Sequence, residues 1–169
     1  MLIRNSVLKK IGYFDESFFN YMEEIDLCYR IQLTGFRAVC NPKSVVYHKV
    51  ASTASRNAQK KRFWEHRNNL MMMLKNYPVI RLLYIFPIRI LLEYISVVYY
   101  IYSKKYSYAF AVIKSQFALL FFLPRIITYR VARGGNETER IRKLIYPGSI
   151  TYVYFIKKIR FFSRLKMSL

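Results

Sequence analysis

Two apolar runs dominate the second half of the chain: residues 79–102, "VIRLLYIFPIRILLEYISVVYYIY", and residues 108–129, "YAFAVIKSQFALLFFLPRIITY". Each is long enough to span a bilayer, which takes about 20 apolar residues. Both carry charges, however. Arg89 and Glu93 sit near the middle of the first run. A central charge costs about 2.5–3.5 kcal/mol, against about 0.3–0.6 gained per large apolar residue, so insertion comes out close to neutral. On a helix, Arg81, Arg89, Glu93, Ser96 and Lys104 share one arc of about 140°. In the second, Ser107, Lys114 and Arg125 align on one stripe and Pro124 interrupts the run. The pattern predicts amphipathic helices lying at an interface, with the core of a helical bundle as the alternative.

Charge narrows the choice of partner. The 169 residues include 29 Lys and Arg against 9 Asp and Glu, which demands an anionic partner. Sixteen Tyr and 13 Phe make the chain too apolar for a disordered nucleic-acid-binding arm. Tyrosine interleaved with Lys and Arg suits a membrane interface, where amphipathic rings and snorkelling cations both sit comfortably. The tail "YFIKKIRFFSRLKMSL" repeats this pattern, with Lys157, Lys158, Arg160, Arg164 and Lys166 among Phe155, Phe161, Phe162 and Leu165. Anionic lipid headgroups are the expected partner and single-stranded nucleic acid the weaker alternative. Two cysteines, Cys28 and Cys40, have no metal-like spacing and suggest a reducing compartment. "MLIRNSVLKK" lacks the apolar core of a signal peptide.

The character of the chain changes near Pro78: residues 1–77 hold 13 basic and 6 acidic residues, residues 78–169 hold 16 and 3. Residues 1–77 read as mixed α/β. "MLIRN", "FRAVC" and "SVVYH" suit short strands, the last two flanking an Asn41-Pro42 turn. Asn5-Ser6 caps a brief helix that Gly12 ends, and "YFDESFFNY" is a loop with aromatic anchors. Residues 22–34 read as a helix stopped by Gly35, with Ile25, Cys28 or Tyr29, and Gln32 or Leu33 on its apolar face. Residues 57–76 read as a second amphipathic helix carrying Phe63, Leu70 and Leu74.

A third of the carboxylates, Glu23, Glu24 and Asp26, fall within four positions at the start of the first of these two helices. Acids there complement the helix dipole and need no other purpose. Two features argue for more: the aromatic loop before them would desolvate part of the cluster, and His48 closes a segment expected to be a strand.

The run "KKIGYFDESFFNYMEEIDLCYRIQLTGFRAVCNPKSVVYHKVASTAS", followed by "RNNL", resembles the C-terminal half of the catalytic domain of family 2 glycosyltransferases. The likeness is to the rhamnosyltransferase-type branch that builds bacterial cell-surface polysaccharides, and it covers about residues 4–77. It implies a partial GT-A domain of α/β class, its acceptor-side half, in residues 1–77, followed by amphipathic membrane-associating helices in residues 78–169. It further implies inverting transfer from a nucleotide sugar to a lipid-linked or polysaccharide acceptor at the cytoplasmic face of the plasma membrane. Glu24 would be the general base, with Glu23 orienting the acceptor. His48 would ligate a divalent cation, Mn or Mg, that neutralises the leaving diphosphate. Asp26 with Arg30, and Arg67 with Asn68, would support the site, while Arg81, Arg89, Lys157, Lys158, Arg160 and Arg164 would bind the membrane. The family's Asp-x-Asp motif is absent from the sequence, so the isolated chain is expected to be inactive. A non-catalytic membrane-peripheral module, binding anionic lipid or a partner glycosyltransferase, is the alternative.

Overall fold

A computed structural model describes residues 1–47, 57–134, 145–146, 148–161 and 164–165. The chain divides into two compact units, Met1–Gly135 and Asn136–Leu169. The described residues of the first hold α1 (Asn5–Ile11), α2 (Glu23–Leu33), α3 (Ala58–Asn76), α4 (Val79–Tyr102) and α5 (Tyr106–Arg133). The second holds α6 (Ile150–Phe155), capped by the Ser149 hydroxyl, which accepts from the Tyr152 N–H. The composition change at Pro78 falls inside the first unit.

Local chemistry accounts for the helix ends. Gly12 leaves α1 at φ 80° while its N–H still bonds the Leu8 carbonyl. At the end of α2, Phe36 N–H reaches the Ile31 carbonyl at 3.2 Å and Gly35 N–H the Gln32 carbonyl at 3.1 Å. This is a Schellman closure with glycine at the left-handed position, φ 88°, and Phe36 packs back near Ile31. The Asn57 side chain accepts from the Lys60 N–H at 2.9 Å and opens α3. Tyr77 is extended because a proline follows it, and α3 stops there.

Helix α3 is the axis of the first unit. Its run Leu70, Met71, Met72 and Met73 is buried on every side, as a helix flanked by neighbours must be. It shares one core with Phe18 from the loop before α2 and with Leu119 and Ile126 of α5. A satellite core joins Val7 of α1 to Leu27 and Ile31 of α2, and a third joins Val97 of α4 to Ala109 and Val112 of α5.

The α/β expectation is overturned: among the described residues no strand forms. Residues 36–41 and 44–47 carry no regular secondary structure, and no ladder joins them. The turn between them does form, with Lys43 N–H on Asn41 Oδ1 at 3.1 Å, but Val39, Val45, Val46 and Tyr47 remain exposed. An extended segment becomes a strand only when a neighbour satisfies its backbone, and β-branched composition cannot supply that neighbour. The buried face of α2 also differs from the spacing read above. Asp26, Leu27, Arg30 and Ile31 face inward and Ile25 is exposed, because a charged pair is drawn into the interior by partners on α3.

Helices α4 and α5 are each long and apolar enough to cross a membrane, and only 11 % and 28 % of their apolar windows are buried by the protein itself. Exposed Ile80, Leu83, Ile88, Leu91, Ile95 and Val98 line α4. The polar arc expected on α4 does not face outward as a whole, since Glu93 is buried and pairs with His66 of α3 and with Arg89 one turn away.

Phe18 fastens the loop before α2 into the core and is fully buried. Phe18→Ala is expected to cost about 3–5 kcal/mol in stability, measured by chemical denaturation of the detergent-solubilised protein.

Candidate functional site

The loop of residues 12–22 bends tightly on its own side chains. Ser17 donates to Asp15 Oδ1 from both its N–H, at 3.1 Å, and its hydroxyl, at 2.6 Å. Three non-glycine residues, Phe19, Tyr21 and Met22, hold left-handed φ values of 60°, 69° and 72°. Each such residue stores strain of about 1–3 kcal/mol and persists only where its surroundings compel it.

Here the compulsion comes from α3. Asn68 is fully buried, and its Nδ2 lies 2.6 Å from the Phe18 carbonyl, 2.5 Å from that of Asn20 and 3.0 Å from that of Tyr21, two hydrogens shared among three acceptors. Arg67 Nη2 donates to the carbonyls of Ser17 at 2.8 Å and Phe18 at 3.2 Å, while its Nε holds Asn68 Oδ1 at 2.8 Å. The guanidinium sits near the rings of Phe63 and Phe122, and burial pushes its pKa below the usual arginine value. Adjacent residues of one helix thus fix the loop that delivers α2.

Below that clamp lies a buried charge network. Arg30 Nε donates to Asp26 Oδ2 at 2.8 Å, and its two other nitrogens reach the carbonyls of Ile11 and Tyr13, each at 2.7 Å. Lys75 of α3 bridges Asp26, at 2.9 Å, and Asp15, at 2.7 Å; Asn76 donates to Asp26 Oδ1 at 2.8 Å, and Arg125 of α5 adds a contact to Asp15 at 3.1 Å. Burial by itself raises the pKa of Asp15. The hydrogen bonds from Lys75 and Ser17 and the charge of Lys75 outweigh it and hold the carboxyl at about 2. A cavity of about 230 Å³ opens beside these groups, bounded by Gly12, Tyr13, Arg30, Lys75, Arg125 and Tyr129.

The acidic pair sits where the strained loop becomes α2. Glu24 is exposed. Glu23 is half-buried, and its Oε2 is shut off from solvent with no hydrogen-bond partner among the described residues. Cys28, one turn on from Glu24, has its thiol pKa raised by burial and by the charge of Glu24. The structure therefore brings Glu23, Glu24, Asp26, Arg30, Arg67 and Asn68 to one loop and its supports. His48 lies outside the described residues, and among those described no three His, Cys, Asp or Glu side chains gather as a metal-holding group. Arg81 and Arg89 are half-buried on α4, away from the acidic loop in sequence. Lys157, Lys158, Arg160 and Arg164 are exposed in the second unit.

Sequence reading missed Asp15, Lys75 and Asn76, and the His66 to Glu93 pair. The available signal was a lysine and an asparagine directly following the apolar run Leu70–Leu74, where a helix face expected to be dry carries polar groups. Such groups need buried partners.

Part of the chain has counterparts among known proteins. A stretch of 54 residues, 31 % of the chain, is 41 % identical to the N-acetylglucosaminyl-diphospho-decaprenol L-rhamnosyltransferase of Mycobacterium tuberculosis, in both strain CDC 1551 and strain H37Rv, and covers 18 % of that protein. A stretch of 30 residues, 18 % of the chain, is 60 % identical to a low-salt glycan biosynthesis hexosyltransferase of Haloferax volcanii and covers 10 % of it. The chain thus matches less than a fifth of the length of these curated relatives, and part of it is similar to glycosyltransferases. No protein-family model and no solved structure matches it.

Two measurements test the site. Asn68→Ala leaves buried carbonyls without donors and is expected to cost about 2–3 kcal/mol by denaturant titration, with increased proteolysis within residues 12–22. Because the pKa of Asp15 is depressed, its stabilisation is present above the ordinary carboxylate range and disappears as pH falls through about 2. Wild type is expected to exceed Asp15→Asn by about 2 kcal/mol at pH ~6, with the difference vanishing in acid.

Proposed function

We propose that this chain is the acceptor-side portion of an inverting glycosyltransferase of family 2, rhamnosyltransferase-like, working at the cytoplasmic face of the plasma membrane. The observation that carries the reading is the adjacent pair of carboxylates, one exposed and one with an orphan oxygen, at the end of a loop held in strained backbone by Arg67 and Asn68. Strain maintained beside titratable groups is a mark of functional sites. The partial likeness to sugar transferases agrees with it.

In this reading Glu24, open to solvent, takes the proton of an acceptor hydroxyl as its oxygen attacks the anomeric carbon. The nucleotide diphosphate leaves from the opposite face, so the configuration inverts. Glu23, half-buried beside it, orients the acceptor through the part of its carboxylate that solvent reaches. Asp26 and Arg30 hold the helix in place. The proposal keeps a divalent cation, with His48 as the ligand this chain would contribute. The nucleotide-sugar site and the remaining metal ligands would come from beyond the described residues, since the sequence has no Asp-x-Asp. The acceptor is proposed to be lipid-linked because α4 and α5 present large apolar faces beside a strongly basic chain, an arrangement suited to an anionic membrane surface. Nucleic acid has no part in it.

Loss of a general base slows transfer by about 10²–10⁴-fold. Membranes from cells producing the native protein should incorporate labelled sugar from a nucleotide sugar into lipid-extractable product, and Glu24→Gln should reduce this by that factor with membrane retention unchanged. A non-catalytic membrane module predicts instead that Glu24→Gln changes nothing while removal of residues 151–169 abolishes function.

A further inference from the structure

A second cavity, of about 310 Å³, opens where the amino end of α3 meets α5, bounded by Asn57, Lys60, Phe63, Trp64, Ala111 and Lys114. Its size falls at the lower end of small-ligand sites, about 300–1,000 Å³. Two cations line it and no carboxylate does. Among the described residues neither Lys60 nor Lys114 forms an ion pair, and the nearby acid, Glu65, is occupied by Lys61 at 3.8 Å and Arg62 at 2.9 Å. The local field therefore favours an anion small enough to sit between two ammonium groups.

The surroundings say what carries that anion. On α5, Lys114 is flanked by Phe110, Ile113 and Phe117, all exposed, so an apolar strip runs away from the cavity along the helix. A lysine in such a strip places its stem on the apolar surface and its ammonium at the polar boundary. The opposite wall connects to the acidic loop, because the Trp64 ring lies 4.8 Å from that of Phe19, four residues before Glu23.

We propose that this cavity binds the terminal phosphate-monoester headgroup of a lipid, held between Lys60 and Lys114, with its apolar chain along Phe110, Ile113 and Phe117. The headgroup then lies one aromatic pair away from the loop that carries Glu23 and Glu24. That second point rests on the sugar-transfer reading; the binding site itself does not.

Trp64 is the only tryptophan in the chain and serves as its own reporter. Titrating the detergent-free, full-length protein with phosphatidylcholine vesicles containing phosphatidic acid should give a saturable shift of Trp64 emission. Replacing both lysines, Lys60→Ala with Lys114→Ala, should weaken that response at least about tenfold, since each hydrogen bond to a charged group contributes about 1.5–3 kcal/mol. The paired Lys60→Arg and Lys114→Arg variant should retain it, with circular dichroism unchanged in both. Equal responses from wild type and the double alanine variant overturn the site. Phosphatidylserine vesicles of matched charge, whose phosphate is a diester, producing the same saturation overturn the selectivity for a terminal phosphate monoester, and inorganic phosphate doing so overturns the lipid. Glu24→Gln should bind as wild type does, so loss of transfer and loss of binding are read separately.

Discussion

The fold of the first unit turns on one buried carboxylate. Asp26 is fully buried on α2, and three cationic or amide donors converge on it: Arg30 from its own helix, and Lys75 and Asn76 from α3. A lone carboxylate in that position would be prohibitively desolvated, so α2 and α3 can approach only in the register that supplies these donors. Lys75 passes the constraint on to Asp15, and Asp15 to Arg125 of α5. One chain of charges thereby locks helix to helix and helix to loop. Apolar packing alone would tolerate several registers; the charges admit one.

Upon that frame the Arg67 and Asn68 clamp does the finer positioning. Carbonyls of the loop turn toward α3 because Asn68 offers the available donors, and the left-handed backbone at Phe19, Tyr21 and Met22 follows. Met22 gives α2 no side-chain cap, so the first turn of the helix begins with its N–H groups and two carboxylates together. The acids ease the dipole of the helix, and Glu24 stays open to solvent.

Around α3 the third constraint is hydrophobic. Helices α4 and α5 cover its apolar run and turn their own apolar sides outward, while Glu93 is withdrawn inward to His66 and Arg89. Neutralising that charge inside the bundle leaves Ile88, Leu91, Leu92 and Ile95 as a continuous apolar surface on α4. Apolar surface of this extent marks a face that a partner or a membrane would cover. A helix bearing Lys60, Lys61, Arg62, Arg67 and Lys75 packs lengthwise against α5.

Much of this was legible from residues 1–134 read in order. Helix positions and most helix ends follow from local chemistry, because Gly12, Gly35, Tyr77-Pro78, the Asn57 cap and the Asn41 turn act through neighbours a few residues away; the Asn5-Ser6 cap expected for α1 does not form, since Arg4 stands at the N-cap without a side-chain bond. The sequence by itself also determined that Glu23, Glu24 and Asp26 share the first turn of one helix. Only the tertiary structure decided their different fates: Glu24 exposed, Glu23 half-buried, Asp26 wholly enclosed. It likewise decided that residues 36–47 form no ladder among the described residues and that Glu93 faces inward. The physical reason is separation along the chain. Lys75 meets Asp15 across 60 positions and His66 meets Glu93 across 27, and composition or periodicity says nothing about which distant group will satisfy a buried charge.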